Sequence, residues 1–353
     1  MNDGAGAPWR SCQAGRSGDE RTDVADAAAA RVARLGFGGA PVGNLYTEVC
    51  EADARAAIEA AWNAGVRHFD TAPFYGYGLS EQRLGRVLTG RAGQGLVLST
   101  KVGRRIEDVA AGAGGDDGFA VEGHRAVFDY SRDGVLRSFE SSLQRLGVDR
   151  IGTLLLHDIG ALTHGPRHAG VLRQALDEAL PAMAALKAAG ACDAIGLGVN
   201  EEAVCPEVMA RFPLDTILLA GRYTVLEQQG AMRLLAAAQA RGVRVLAAGP
   251  YNSGLLADPV RPGLTYDYRP VEADMRRRAD RVYAICGRFG LEPGAVALQF
   301  PLAHPAVAGV VAGLRSAAEV DCAVARLRTT VPPALWAALR EEGLLGDDAA
   351  VPA

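Results

Sequence analysis

Long apolar runs are missing. No stretch of the 353-residue chain reaches the roughly 18 consecutive apolar residues of a membrane helix, so no membrane partner is expected. Cysteine is scarce. The six residues, at 12, 50, 192, 205, 286 and 322, form no C-x-x-C pair and show no metal-ligand spacing. That pattern predicts a reduced, cytoplasmic setting, thiols acting as small apolar packers, and no bound metal. No H-x-H pair stands at a strand end, which removes a metal-dependent hydrolase. Neither sign of charge dominates, with 37 Lys and Arg against 41 Asp and Glu, and no basic stripe is present, so nucleic acid is excluded as a partner. The N-terminus lacks the apolar core of a secretory signal and holds acidic residues that a transit peptide avoids. A disordered extension is expected over 1–30, a single folded domain over 31–345 and a flexible tail over 346–353.

What is present is a globular composition, 49% hydrophobic and 22% charged, in a pattern that alternates short apolar runs with amphipathic stretches. The apolar runs predict eight strands, at 34–38, 67–70, 96–102, 151–157, 194–200, 215–220, 243–248 and 307–312. Between them the spacing predicts helices over 51–64, 79–88, 131–146, 171–189, 201–211, 227–241, 273–289 and 316–327, with a further helix over 293–303 and a C-terminal one over 333–342. In the first of these, Ala54, Ala57, Ile58, Ala61 and Trp62 share one face. No G-x-G-x-x-G turn follows the first strand. The expectation is an α/β fold, a (β/α)8 TIM barrel with long loops at its C-terminal face and an extra C-terminal helix.

Four chemically capable residues fall at or just after three consecutive strand ends: Asp70, Tyr75, Lys101 and His157. A barrel gathers such ends around one pocket. A phenol is a weak acid-base catalyst at neutral pH. An ammonium about 4 Å away stabilises the phenolate by up to about 4 kcal/mol at an effective dielectric near 20, enough to lower the pKa by about three units. Asp70 would keep Lys101 charged, and His157 would orient a substrate oxygen. Singly, each has an ordinary explanation: a cap, a half-exposed lysine, a loop anchor, a buried imidazole. Their joint order is what singles them out. The long segments 104–129 and 252–272 and the shorter 158–170 follow strands and would overhang the same mouth, with His164, His168, Tyr266 and Tyr268 as candidate wall residues.

The string Val66-Arg67-His68-Phe69-Asp70-Thr71-Ala72-Pro73-Phe74-Tyr75-Gly76, continuing to Ser80-Glu81 and Leu84-Gly85, resembles the first signature of the aldo-keto reductases. Leu98-Ser99-Thr100-Lys101 and Leu154-Leu155-Leu156-His157 are similar to the segments holding the family's other catalytic positions. The resemblance implies a barrel without a Rossmann domain, a nicotinamide dinucleotide extended over its C-terminal face, and a Tyr/Lys/Asp/His tetrad. A narrower likeness, in residues 36–45, 220–224 and 249–255, is to the family's aldose 1-dehydrogenase branch, which takes in L-fucose and L-galactose dehydrogenases. Members of that branch oxidise a cyclic hemiacetal to a lactone with NAD or NADP.

The same resemblance implies cofactor contacts. Asn200 falls near the family's serine-asparagine pair, with Gly198 at the serine position. Ala220 stands for its carboxamide-binding glutamine, and Ala248 for its stacking aromatic, with Tyr251 as a substitute. Gly249, Asn252, Ser253, Gly254 and Leu255 match the loop over the pyrophosphate, and Tyr223 joins them from the preceding turn. Gly313, Arg315, Ser316 and Glu319 match the adenosine-binding turn. NADP-preferring relatives commonly carry arginine where Glu319 falls. A carboxylate repels a 2′-phosphate and accepts from ribose hydroxyls, so NAD is expected over NADP. The relatives' opening hairpin is degenerate or missing here.

These readings predict an NAD(P)-dependent oxidoreductase acting on a small sugar or aldehyde. Two alternatives stay open at this point: a lyase or aldolase with Lys101 as Schiff-base nucleophile, and a nicotinamide-binding sensor or regulatory subunit.

Overall fold

The computed structural model describes residues 18–110, 117–257, 265–266 and 269–352. Eight parallel strands close into a barrel: β1 (Leu35–Gly38), β2 (His68–Asp70), β3 (Val97–Val102), β4 (Ile151–His157), β5 (Cys192–Val199), β6 (Thr216–Ala220), β7 (Arg244–Ala248) and β8 (Val307–Gly313). Each pairs with its sequence neighbours, and β8 closes on β1 with Gly38 opposite Gly313. The order is that of successive right-handed βαβ units.

Period-two alternation separates two cores. On β4, Leu154 and Leu156 point outward into the main core beneath the helices, while Leu155 packs inside with Leu218, Ala248 and Val311. That interior plug makes the barrel a packed body rather than a pore. The helices bury the apolar faces expected of them. In α2 (Glu51–Asn63), Ala54, Ala57, Ile58 and Ala61 are fully buried. In α4 (Arg132–Leu146), Ser131 caps the start by accepting from the Gly134 amide, and left-handed Gly147 ends it.

Two expectations need correction. The disordered extension expected over 1–30 is helical from residue 18, where α1 (Gly18–Ala33) begins. Its alanine run favours helix, Ala28 and Val32 are buried, and Arg31 Nε donates to the Leu327 carbonyl at 2.7 Å. Residues 1–17 lie outside the described residues. The tail is not loose either: Ala349 is buried, and Arg340 donates to its carbonyl at 2.6 Å. The long segment after β3, expected to overhang the barrel mouth, has secondary structure of its own. It contains a hairpin, Arg104–Asp108 paired antiparallel with His124–Phe128. Its strands are rich in charge and half exposed, so they lack an apolar period.

Candidate active site

The C-terminal ends of β2, β3 and β4 place the four residues together. Alternation turns Asp70 and Lys101 inward, where Lys101 Nζ donates to Asp70 Oδ2 at 2.7 Å and to the Thr71 carbonyl at 2.8 Å. The pair is nearly sealed, with side-chain exposures of 1% for Lys101 and 4% for Asp70. Asp70 Oδ1 accepts from Ser99 Oγ at 2.7 Å, and Ser99 Oγ lies 2.9 Å from His68 Nε2. The ammonium stands 4.5 Å from the centre of the Tyr75 ring. The His157 ring meets that of Tyr75 edge-on, 6.1 Å between centres.

Tyr75 is clamped by local packing. Its ring lies 6.0 Å from that of Phe119, which belongs to the long segment after β3. Its backbone is pressed by the turn at 41–43: a Cβ on Gly43 would stand 2.7 Å from the Tyr75 carbonyl carbon, and one on left-handed Gly76 would stand 2.3 Å from the Gly43 oxygen. Two glycines thus permit the approach that fixes the phenol. Beneath β3, Glu81 is fully buried and accepts from Thr100 Oγ1 and Arg145 Nε, both at 2.6 Å.

The electrostatics depart from the simple expectation of an acidic phenol. Burial pushes the Tyr75 pKa upward, and the opposing Lys101 charge offsets this only in part, so the net shift is up. Burial also works against the Lys101 charge, but Asp70 and Tyr75 outweigh it and its pKa is raised. An amine held protonated in this way is a poor Schiff-base nucleophile. Burial, then Arg104 and Lys101, hold His157 well below the ordinary imidazole value, so it is neutral.

A cleft of about 960 Å³ opens over these residues. Asn200, Gly249, Tyr251, Asn252, Ser253, Gly254, Gly313, Arg315 and Glu319 line it. Asn252 and Ser253 both hold left-handed backbone, φ 49° and 57°, between Gly249 and Gly254, also left-handed. Asn252 is 1% exposed, and among the described residues neither its Oδ1 nor its Nδ2 has a partner; Asn200 Oδ1 is likewise buried and unpaired. Orphaned polar atoms of this kind suit a polar ligand.

Three expected cofactor residues are not among those that line the cleft. Tyr223 is buried against Phe300 and His304 beneath the helices. Leu255 belongs to the main core. Ser316 caps α12 (Ala317–Arg328) by accepting from the Glu319 amide at 3.2 Å. A loop of small residues gives no sign from sequence of which ones face inward. Tyr251 does line the cleft, but its charged neighbours are Arg326 and Glu319 on α12, so it is tied to that end and not to Tyr75. Of the candidate wall residues, Tyr266 lines the cleft, His164 is buried against Tyr130, His168 contacts the Ile159 carbonyl, and Tyr268 lies outside the described residues. Sequence reasoning missed Phe74, Phe119, Arg104 and Asp158, all near the tetrad. Only the charge of Asp158, set directly after the strand-end histidine, could have signalled one of them.

Residues 34–341 match the model of the Aldo/keto reductase family. The chain belongs to that family. It is an NAD(P)-dependent oxidoreductase built on the family's barrel. It is 40% identical to the pyridoxal 4-dehydrogenase of Microbacterium luteolum, over 89% of this chain and 95% of that protein. It is 38% identical to the D-threo-aldose 1-dehydrogenase of a Pseudomonas species, over 91% and 97% of the two chains. Among solved structures it resembles the aldo-keto reductase AKR11C1 from Bacillus halodurans in its holo form, with a TM-score of 0.68 and 28% identity over 90% of this chain and 93% of that one. Among the described residues no helix is long and apolar enough to cross a membrane.

Proposed function

We propose that this aldo/keto reductase oxidises the hemiacetal carbon of an aldose or of a hydroxy-aldehyde that closes on itself, with NAD preferred over NADP. The carrying observation is the Asp70–Lys101–Tyr75–His157 cluster in a cleft that is also lined by Asn200 and Asn252, whose buried amide atoms are unpaired. Pyridoxal and aldoses, the substrates in the two relatives' names, both close an aldehyde onto a hydroxyl of the same molecule.

The nicotinamide ring, when bound, supplies or accepts the hydride. Tyr75 moves the proton: it takes the substrate hydroxyl proton in oxidation and returns one in reduction. Lys101, held charged by Asp70, lowers the cost of forming phenolate in a buried site. Neutral His157 donates a hydrogen bond to the substrate oxygen. Asn200, Asn252 and the left-handed loop around 249–254 would hold the dinucleotide, with α12 meeting its adenosine end. There Glu319 accepts from the Arg315 amide at 2.9 Å and pairs with the Arg315 guanidinium at 3.1 Å. Its carboxylate disfavours a 2′-phosphate and occupies the nearest arginine.

The test is a panel of aldoses, pyridoxal and simple aldehydes with each cofactor, read by nicotinamide absorbance. Tyr75→Phe is expected to lower kcat by at least about a hundredfold while cofactor titration is unchanged. Full activity in that variant overturns the mechanism. A higher kcat/KM with NADP than with NAD overturns the cofactor preference.

A further inference from the structure

Beside the tetrad sits a second buried charged pair that the proton-transfer scheme leaves unused. Asp158 follows His157 directly and is among the residues that line the cleft. Its backbone is left-handed, φ 47°, a conformation uncommon for a residue with a side chain. Three hydrogen-bonding groups pin that turn. The Asp158 amide donates to the Gly198 carbonyl at 3.0 Å, and its own carbonyl lies 2.8 Å from both Tyr130 Oη and His164 Nε2. Oδ2 accepts from Arg104 Nη2. Arg104 is itself gripped between two rings, its Cζ 4.0 Å from the centre of Phe74 and 4.6 Å from that of Phe128. The chain thus spends strain and two aromatic contacts to hold one carboxylate in the substrate end of the cleft.

The decisive spacing is to His157. Asp158 Oδ2 lies 3.4 Å from His157 Nε2. The imidazole is neutral, because burial and then Arg104 and Lys101 depress its pKa, so the two groups do not form an ion pair. They stand instead as a donor and an acceptor side by side. Two oxygens on adjacent carbons present the complementary arrangement: the reacting oxygen accepts from His157, and its neighbour's hydroxyl donates to the carboxylate.

We propose that Asp158, braced by Arg104, is the specificity residue of this enzyme: it accepts a hydrogen bond from a hydroxyl on the carbon beside the reacting one. It therefore selects 2-hydroxy aldehydes and aldoses over their 2-deoxy counterparts. This deepens the oxidoreductase reading above and rests on it. A substrate without that hydroxyl leaves a desolvated carboxylate facing carbon, and such a mismatch is costly.

The full-length enzyme is assayed on two pairs, each differing at a single hydroxyl. D-arabinose and 2-deoxy-D-ribose are compared in oxidation. 2-Hydroxypropanal and propanal are compared in reduction. The wild type is expected to prefer the hydroxylated member of each pair by at least about tenfold in kcat/KM. Asp158→Gly keeps the left-handed turn and removes the acceptor, so the ratio falls to near one. Asp158→Asn, which also tolerates that turn and keeps a neutral acceptor, falls between. Both members of a pair meet the same folded protein, so a general loss of activity leaves the ratio in place. A wild-type ratio near one, a preference that survives in Asp158→Gly, or no turnover of any of the four compounds overturns the proposal. Discrimination confined to the aldehyde pair, with both sugars inert, upholds Asp158 and overturns the aldose reading instead.

Discussion

Gly198 faces the aliphatic stem of Lys101: a Cβ built on it would stand 3.1 Å from Lys101 Cε and 3.2 Å from Cδ. Inward-facing positions on β5 therefore make room for the long side chain on β3 that carries the charge. The family position read from sequence as a missing serine is, in three dimensions, the space that the lysine occupies.

Gly198→Ala is expected to crowd that stem and tilt the ammonium away from the phenol. Displacing a catalytic group by a few tenths of an ångström lowers kcat by about tenfold or more, with little change in cofactor affinity. Steady-state kinetics and cofactor fluorescence titration on one preparation check both halves. An unchanged kcat means that the stem has slack.

The pH profile follows from the phenol. Burial raises the Tyr75 pKa and Lys101 pulls it back down. Oxidation needs the deprotonated form, so its kcat rises with pH through the Tyr75 pKa. Reduction needs the protonated form and falls over the same range. Lys101→Met removes the downward pull, so the oxidation limb moves to higher pH. A limb that stays in place, or moves to lower pH, rejects the coupling.

Asp70→Ala leaves a buried ammonium with only the Thr71 carbonyl and the phenol beside it. Breaking a buried pair from one side costs about 3–5 kcal/mol of stability. Adding Lys101→Met to Asp70→Ala is expected to recover part of that loss, because no uncompensated charge remains. Urea unfolding of the single and double variants measures the difference. A double variant less stable than the single one contradicts it.

Asn252→Gly removes the two unpaired buried polar groups of one side-chain amide, its C=O and NH2, while preserving the left-handed backbone. If those groups bind the dinucleotide, cofactor Kd rises by about tenfold and the substrate KM barely moves. An unchanged Kd assigns the side chain to the loop alone.

Glu319→Ala frees the Arg315 guanidinium and removes a carboxylate from the α12 end of the cleft. The ratio of kcat/KM for NADP to that for NAD is expected to rise by about tenfold. A ratio that holds steady means the carboxylate does not discriminate.

Much of the fold could be read from the text of the chain. The strand at 151–157 matches its expected bounds, and the other seven differ by no more than two residues at either end. Strands covered on both faces must be short, apolar and β-branched, and that signature is local. The Asp70, Tyr75, Lys101 and His157 positions were legible for the same reason, since each sits within a few residues of a strand end. The hairpin at Arg104–Asp108 and His124–Phe128 was not, because its half-exposed strands carry Arg, Glu and His where an apolar period would be. Nor was the burial of Tyr223 away from the cleft, since an aromatic in a turn carries no mark of the direction it faces.

Sequence by itself determined the order of the elements, the closure of eight strands, and which side chains stand at the mouth of the barrel. Those follow from periodicity and from residue types that local backbone geometry dictates. Tertiary structure alone decided the balance at Tyr75, where burial outweighs a nearby cation, and the placement of Asp158 beside His157 under an arginine from another element. Both depend on solvent exclusion and on distances between segments far apart in the chain, quantities that exist only once the barrel has closed.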